Sequence, residues 1–73
     1  MNKNAFKSVM VYHGDTQKTV ADALGISAQT IGDKLNGLTD FTQSEIQVLA
    51  ERYKLTPGQV DEIFFGGELW NDL

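Results

Sequence analysis

Residues 16–37 read TQKTVADALGISAQTIGDKLNG, and the fold is decided by how these letters divide. Val20, Ala21 and Leu24 share one face of a first helical pattern. Ile31 and Leu35 stand one helical turn apart in a second. Between the two lies Gly25-Ile26-Ser27. Gly25 sits where the first helix must stop, because glycine takes the left-handed conformation that ends a helix without a Cβ penalty. Ser27 is placed to cap the second helix by accepting from the N–H of Gln29 or Thr30. Ile26 just before that cap and Ile31 at the fourth helical position form a hydrophobic staple. Ala21 is small, as a steep crossing of two helices over a three-residue turn requires. Small residue, glycine turn and isoleucine pair specify a helix-turn-helix.

The run Gln17…Val20-Ala21…Leu24-Gly25-Ile26-Ser27…Thr30-Ile31…Leu35-Asn36-Gly37 resembles the phage Cro and repressor family, the XRE-like transcriptional regulators. Their pattern is Q-x-x-(L/V)-A-x-x-L-G-(I/V)-S-x-x-T-I, ending in N-G. The resemblance covers residues 17–37 and its flanking helices carry it over most of the chain. One departure is Leu35, four residues after Ile31 where many relatives place the apolar anchor three after. Short phage members with a KLNG ending, of the kind carried by Gram-positive prophages, share that shift. It rotates the exposed face slightly.

Length and composition agree with one small domain. With 73 residues there is room for one core, burying roughly 60% of the surface that the unfolded chain exposes. Cysteine is absent, so neither disulfides nor a thiolate metal site supplement that core. No apolar run approaches the roughly 20 residues of a membrane span, and no signal peptide opens the chain. The expected location is the cytoplasm. The net charge of −4 is unusual for a phosphate-binding protein. Its distribution softens the conflict: residues 1–37 hold four lysines against three aspartates, whereas residues 38–73 hold two cations against seven acids. The acid is concentrated in the half that should point away from a duplex.

Helices are expected over 4–13, 17–24, 28–36, 43–54 and 57–65. In the first, Phe6, Val9, Met10 and His13 form an apolar stripe, with Asn4 as cap and Gly14 as stop. His13, at the stripe's edge, reads as structural or partly exposed rather than functional, and Lys3 and Lys7 as a solvated face. Thr16 caps the second helix. Asn36-Gly37 closes the third, and Phe41 anchors the loop that follows. Thr42-Gln43-Ser44-Glu45 is a capping box, with Phe41 stapled to Ile46. The fourth helix turns Ile46, Leu49, Ala50 and Tyr53 inward. Leu55-Thr56-Pro57-Gly58-Gln59-Val60 repeats the device, Pro57 taking the first helical position. Val60, Ile63 and Phe64 face the core in the fifth helix, and Gly66-Gly67 stop it.

Residues 1–67 thus form one all-α domain, followed by a short apolar tail, 68–73. In that tail Leu69, Trp70 and Leu73 keep helical spacing. Trp70 either folds back on its own core or meets a second subunit. Enzymatic chemistry is poorly supported: one histidine, no cysteine and no Ser-His-Asp spacing leave no nucleophile-base pair. Asp61 and Glu62 are adjacent in a helix and diverge, which argues against a metal or acid/base pair. No cofactor, metal or small-molecule substrate is expected.

The resemblance implies a compact five-helix, lambda-repressor-like DNA-binding domain acting as a transcriptional regulator. The helix over 28–36 would read the major groove of double-stranded DNA. Ala28, Gln29, Thr30, Asp33 and Lys34 look outward from it and are the candidate base contacts. Gln29 is the best reader, since its amide pairs bidentately with adenine. Gln17, Lys18, Ser27, Asn36 and Thr39 are the candidate contacts to the DNA backbone. A weak homodimer on a pseudo-palindromic operator follows from one helix covering few base pairs. The chain would be a stand-alone Cro-like regulator or the amino-terminal part of a repressor. The rival is a protein-interaction module that has lost DNA affinity and uses its acidic half or apolar tail.

Overall fold

The computed structural model describes residues 1–66, all of whose regular structure is helical. Five helices follow one another: α1 (Lys3–Tyr12), α2 (Gln17–Leu24), α3 (Ala28–Leu35), α4 (Gln43–Tyr53) and α5 (Pro57–Phe64). The expectation of an all-α, five-helix domain containing a helix-turn-helix holds. The apolar tail expected over 68–73, including Trp70, lies outside the described residues.

Side-chain caps set the helix starts. Thr16, Thr42 and Thr56 each accept from the backbone N–H three residues on, and in each case the residue there returns a bond to the cap's own N–H. The returning partners are Thr19, Glu45 and Gln59, so α2 also carries a box, with threonine in place of the usual Glu or Gln. Ser27 accepts from Thr30 N–H at 3.1 Å. The start of α1 differs from expectation. Asn2, not Asn4, is its cap, accepting from Ala5 N–H at 3.1 Å, and its own N–H donates to Ile63 C=O at 2.8 Å. Asn4 is exposed, because the polar cap lies further upstream of the stripe than Phe6 alone suggested.

Gly25 adopts φ 69° and closes α2, with Ile26 N–H reaching Ala21 C=O at 3.0 Å. The turn therefore forms as the sequence dictates. α2 packs on α3 and α4, α1 packs on α5, and α4 on α5. Every helix sends buried apolar residues into one core: Phe6 and Met10, Val20 and Ala21, Ile31 and Leu35, Leu49 and Tyr53, Ile63 and Phe64. Phe41 reaches this core from its loop, stacking on Phe6 at 5.5 Å and meeting Phe64 edge-on at 5.5 Å. Leu24, expected inside, is only half-buried against the core, and His13, expected to be structural or partly exposed, is exposed. Each lies at the edge of its stripe, where the neighbouring helix no longer covers it. His13 instead rests its ring 4.8 Å from that of Tyr53.

Candidate nucleic-acid interface

The turn sets α3 on the outside of the core by burying Ile31 and Leu35 beneath it. Helical periodicity then sends Ala28 and Gln29 to the opposite side, where both are exposed. Gln29 keeps an unencumbered amide at the first turn. Thr30 is half-buried, and its hydroxyl lies 2.8 Å from that of Ser27. Ser27 is exposed but committed to the cap. Asp33, one turn after Gln29, is half-buried.

Lys34 requires a correction. Expected to look outward, it is 8% exposed and folded against its own domain. Its Nζ donates to Asp40 C=O at 2.8 Å and pairs with Glu45 Oε1 at 3.0 Å. The ammonium also stands 5.7 Å from the Phe41 ring centroid. The reason is position: Lys34 precedes the buried Leu35 and overlooks the loop, so its long stem runs along apolar surface to an acid on α4. Burial pushes the Glu45 carboxyl up, but the Thr42 N–H and the Lys34 ammonium more than offset it, leaving it below the usual range.

Gln17 and Lys18 are exposed on the first turn of α2. Asn36 is exposed after the last turn of α3, with its side-chain oxygen accepting from Lys3 Nζ at 2.9 Å. Thr39 is exposed in the loop that follows. The structure thus gathers Gln17, Lys18, Ala28, Gln29, Asn36 and Thr39 among its exposed residues and withdraws Lys34 into the domain.

A second polar cluster was not legible in the sequence. Asp15 accepts from Arg52 Nε at 2.8 Å and Nη2 at 2.7 Å, from the Tyr53 hydroxyl at 2.6 Å and from Thr19 Oγ1 at 2.9 Å. The Arg52 guanidinium holds the Asp15 carboxyl far below the usual carboxylate range. Burial, reinforced by Asp15, pushes the Tyr53 phenol well above its own. The fork joins the residue ahead of α2 to the end of α4 and so fixes the entry of the motif. Asp15 and Arg52 lie 37 residues apart, which no local pattern announces.

Among the described residues no group of acids and histidines is placed to hold a metal ion, and no helix is long and apolar enough to cross a membrane. Asp61 is buried while Glu62 is exposed, so the adjacent carboxylates diverge. Against this geometry, the family model described as Helix-turn-helix matches residues 13–60, well over half of the chain. The chain belongs to the Cro/repressor-type helix-turn-helix family. Domains of this family bind DNA and are not of an enzymatic type. The match begins at His13, just before α2, and ends at Val60 within α5, so the motif helices α2 and α3 and the following α4 lie wholly inside it. Comparison with curated proteins and with solved structures gave no match.

Proposed function

We propose that this helix-turn-helix protein is a sequence-specific transcriptional regulator of the Cro/repressor kind, acting in the cytoplasm on double-stranded DNA. The observation that carries the reading is the outward first turn of α3, where Gln29 is exposed beside Ala28. Side chains at that turn enter a major groove most deeply. Gln29 reads adenine N6 and N7, and Ala28 offers a methyl contact to thymine. Asp33 accepts from a cytosine amino group or acts as a negative selector near phosphate. Gln17, Lys18, Asn36 and Thr39 meet the phosphate backbone, which orients the protein without reading sequence. Thr30 and Ser27 serve the cap first. Lys34, turned inward, leaves the reading set.

One reading helix spans few base pairs, so two subunits bind a pseudo-palindrome with half-sites about 34 Å apart or a multiple of that. Their association is weak in solution and completed on DNA.

A second reading, a protein-interaction module on the same fold, draws on a specific observation. Two of the six cations, Lys34 and Arg52, are held in internal ion pairs, leaving fewer than the sequence suggested for phosphates. One experiment tests both readings: selection of bound sequences from random duplexes, followed by alanine variants on the selected site. Gln29→Ala is expected to cost about 1–3 kcal/mol and relax preference at one base pair, whereas Gln17→Ala weakens all duplexes alike. Failure to enrich any duplex favours the interaction module. Equal losses for Gln29→Ala on selected and scrambled DNA remove it as a base reader.

A further inference from the structure

We propose that Lys34 and Glu45 are positioning residues for DNA binding, an ion pair that sets the loop behind the reading helix without touching the duplex. The inference rests on the DNA reading above and assigns these two side chains a part in it.

Few atoms carry the arrangement. Lys34 Nζ, on the last turn of α3, holds Asp40 C=O at 2.8 Å and Glu45 Oε1 at 3.0 Å. The same Glu45 oxygen accepts Thr42 N–H at 2.8 Å, completing the cap of α4. Reading helix, loop and following helix are therefore fastened at one point. Both charges are largely withdrawn from water, with 9% of the Lys34 side chain and 14% of the Glu45 side chain exposed. Apolar residues of similar volume often stabilise such a position as well as an ion pair, so stability alone is a weak reason for it. What the pair adds is a defined geometry for the intervening loop.

That loop is what a phosphate would meet. Thr39 and Asp40 are exposed, and among the described residues their backbone N–H groups donate to no internal acceptor. The Asp40 carbonyl, by contrast, is drawn inward to the ammonium. Lys34 thus occupies the Asp40 carbonyl and leaves the neighbouring N–H donors of Thr39 and Asp40 without an acceptor among the described residues. The loop itself carries no basic residue and one exposed acid, Asp40, so its affinity for phosphate depends on the orientation of these dipoles and works against that charge.

The test compares Lys34→Met, Glu45→Gln and the double variant with the wild type on a selected duplex over a range of salt. Met keeps the apolar stem of Lys34, and Gln still completes a capping box, so the double variant retains both local supports. Thermal melting confirms that each remains folded. Each variant is expected to lose roughly fivefold to tenfold in affinity, equally on selected and scrambled DNA, the effect of misplacing one or two phosphate hydrogen bonds. The salt slope stays unchanged, and the double variant loses no more than Lys34→Met alone.

Glu45→Gln is the sharpest case, because removing an acid should by charge alone strengthen binding to DNA. Tighter binding by Glu45→Gln overturns the proposal, as does wild-type affinity in all three variants. A slope reduced by about 0.9 in Lys34→Met shows direct phosphate contact and overturns it too. Additive losses in the double variant also count against a shared pair. Failure of the wild type to bind any duplex is a separate result, which removes the DNA reading and this inference together.

Discussion

Leu24 and Leu49 stand on inward stripes of neighbouring helices, yet the structure treats them differently. Leu49 is fully enclosed, whereas Leu24 is half-buried at the rim beside the turn. Truncation of an enclosed leucine removes its transfer free energy and leaves a cavity, while a rim position collapses or admits water. Leu49→Ala is therefore expected to cost about 2–5 kcal/mol, enough to unfold much of so small a domain. Leu24→Ala should cost about 1–2 kcal/mol, since little cavity is left behind. Urea denaturation of the two variants checks the order. Lys34 shows the same lesson for a charged residue: type and helical face suggested solvent, but length and a neighbouring acid took it inside. Gln29, whose side chain makes no hydrogen bond among the described residues, is exposed as its position implied.

At the scale of the helices, the short-range grammar was legible and the long-range pairing was not. Thr16, Thr42 and Thr56 cap where their spacing to Thr19, Glu45 and Gln59 requires, because both partners lie within one turn. Gly25 and Gly37 take positive φ at the ends of α2 and α3, as glycine after a helical stripe suggests. The Asp15–Arg52–Tyr53 cluster depends on α2 and α4 already being packed, so composition and periodicity carry no trace of it. Of the candidate interface, the exposed first turns of α2 and α3 followed from periodicity. The inward course of Lys34 did not, because it needs the loop's path.

One helix end departs from the pattern. Lys54 closes α4 at φ 52°, the described non-glycine residue with positive φ, while Leu55 N–H reaches Ala50 C=O at 2.9 Å. A Cβ in the left-handed region costs about 1–2 kcal/mol, partly offset in a glycine variant by greater freedom of the unfolded chain. Lys54→Gly should accordingly raise stability by about 0.5–1 kcal/mol and leave the salt dependence of DNA binding unchanged. A lower melting temperature in Lys54→Gly would mean that the lysine stem contributes more packing than its backbone costs.

For the whole molecule, two polar clusters join helices that the apolar core alone would leave free to slide. Lys34–Glu45 fastens α3 to α4, and Asp15–Arg52–Tyr53 fastens the entry of α2 to the end of α4. Both make stability depend on pH, with a sign fixed by linkage. Asp15 and Glu45 have folded-state pKa values below their ordinary 3.8 and 4.5. Their contribution is complete above those ordinary values and is lost as pH falls through the lower folded ones. Tyr53 behaves oppositely: its pKa is raised above 10.0, so its contribution is present below that value and is lost as pH rises past it. The stability curve should therefore be flat near neutrality and fall below about pH 4 and above about pH 10. Asp15→Asn separates the clusters, because it removes the negative charge and one of the two oxygens that Arg52 and Tyr53 bind while sparing Glu45. It should cost about 1–2 kcal/mol at neutral pH, a figure kept modest because the Arg52 side chain is 38% exposed and screened. The acid limb of this variant should be shallower than that of the wild type but not absent, the remainder belonging to Glu45. Chemical denaturation at a series of pH values measures both quantities. An acid limb identical to the wild type would show that Asp15 is not the carboxylate whose protonation loosens the fold.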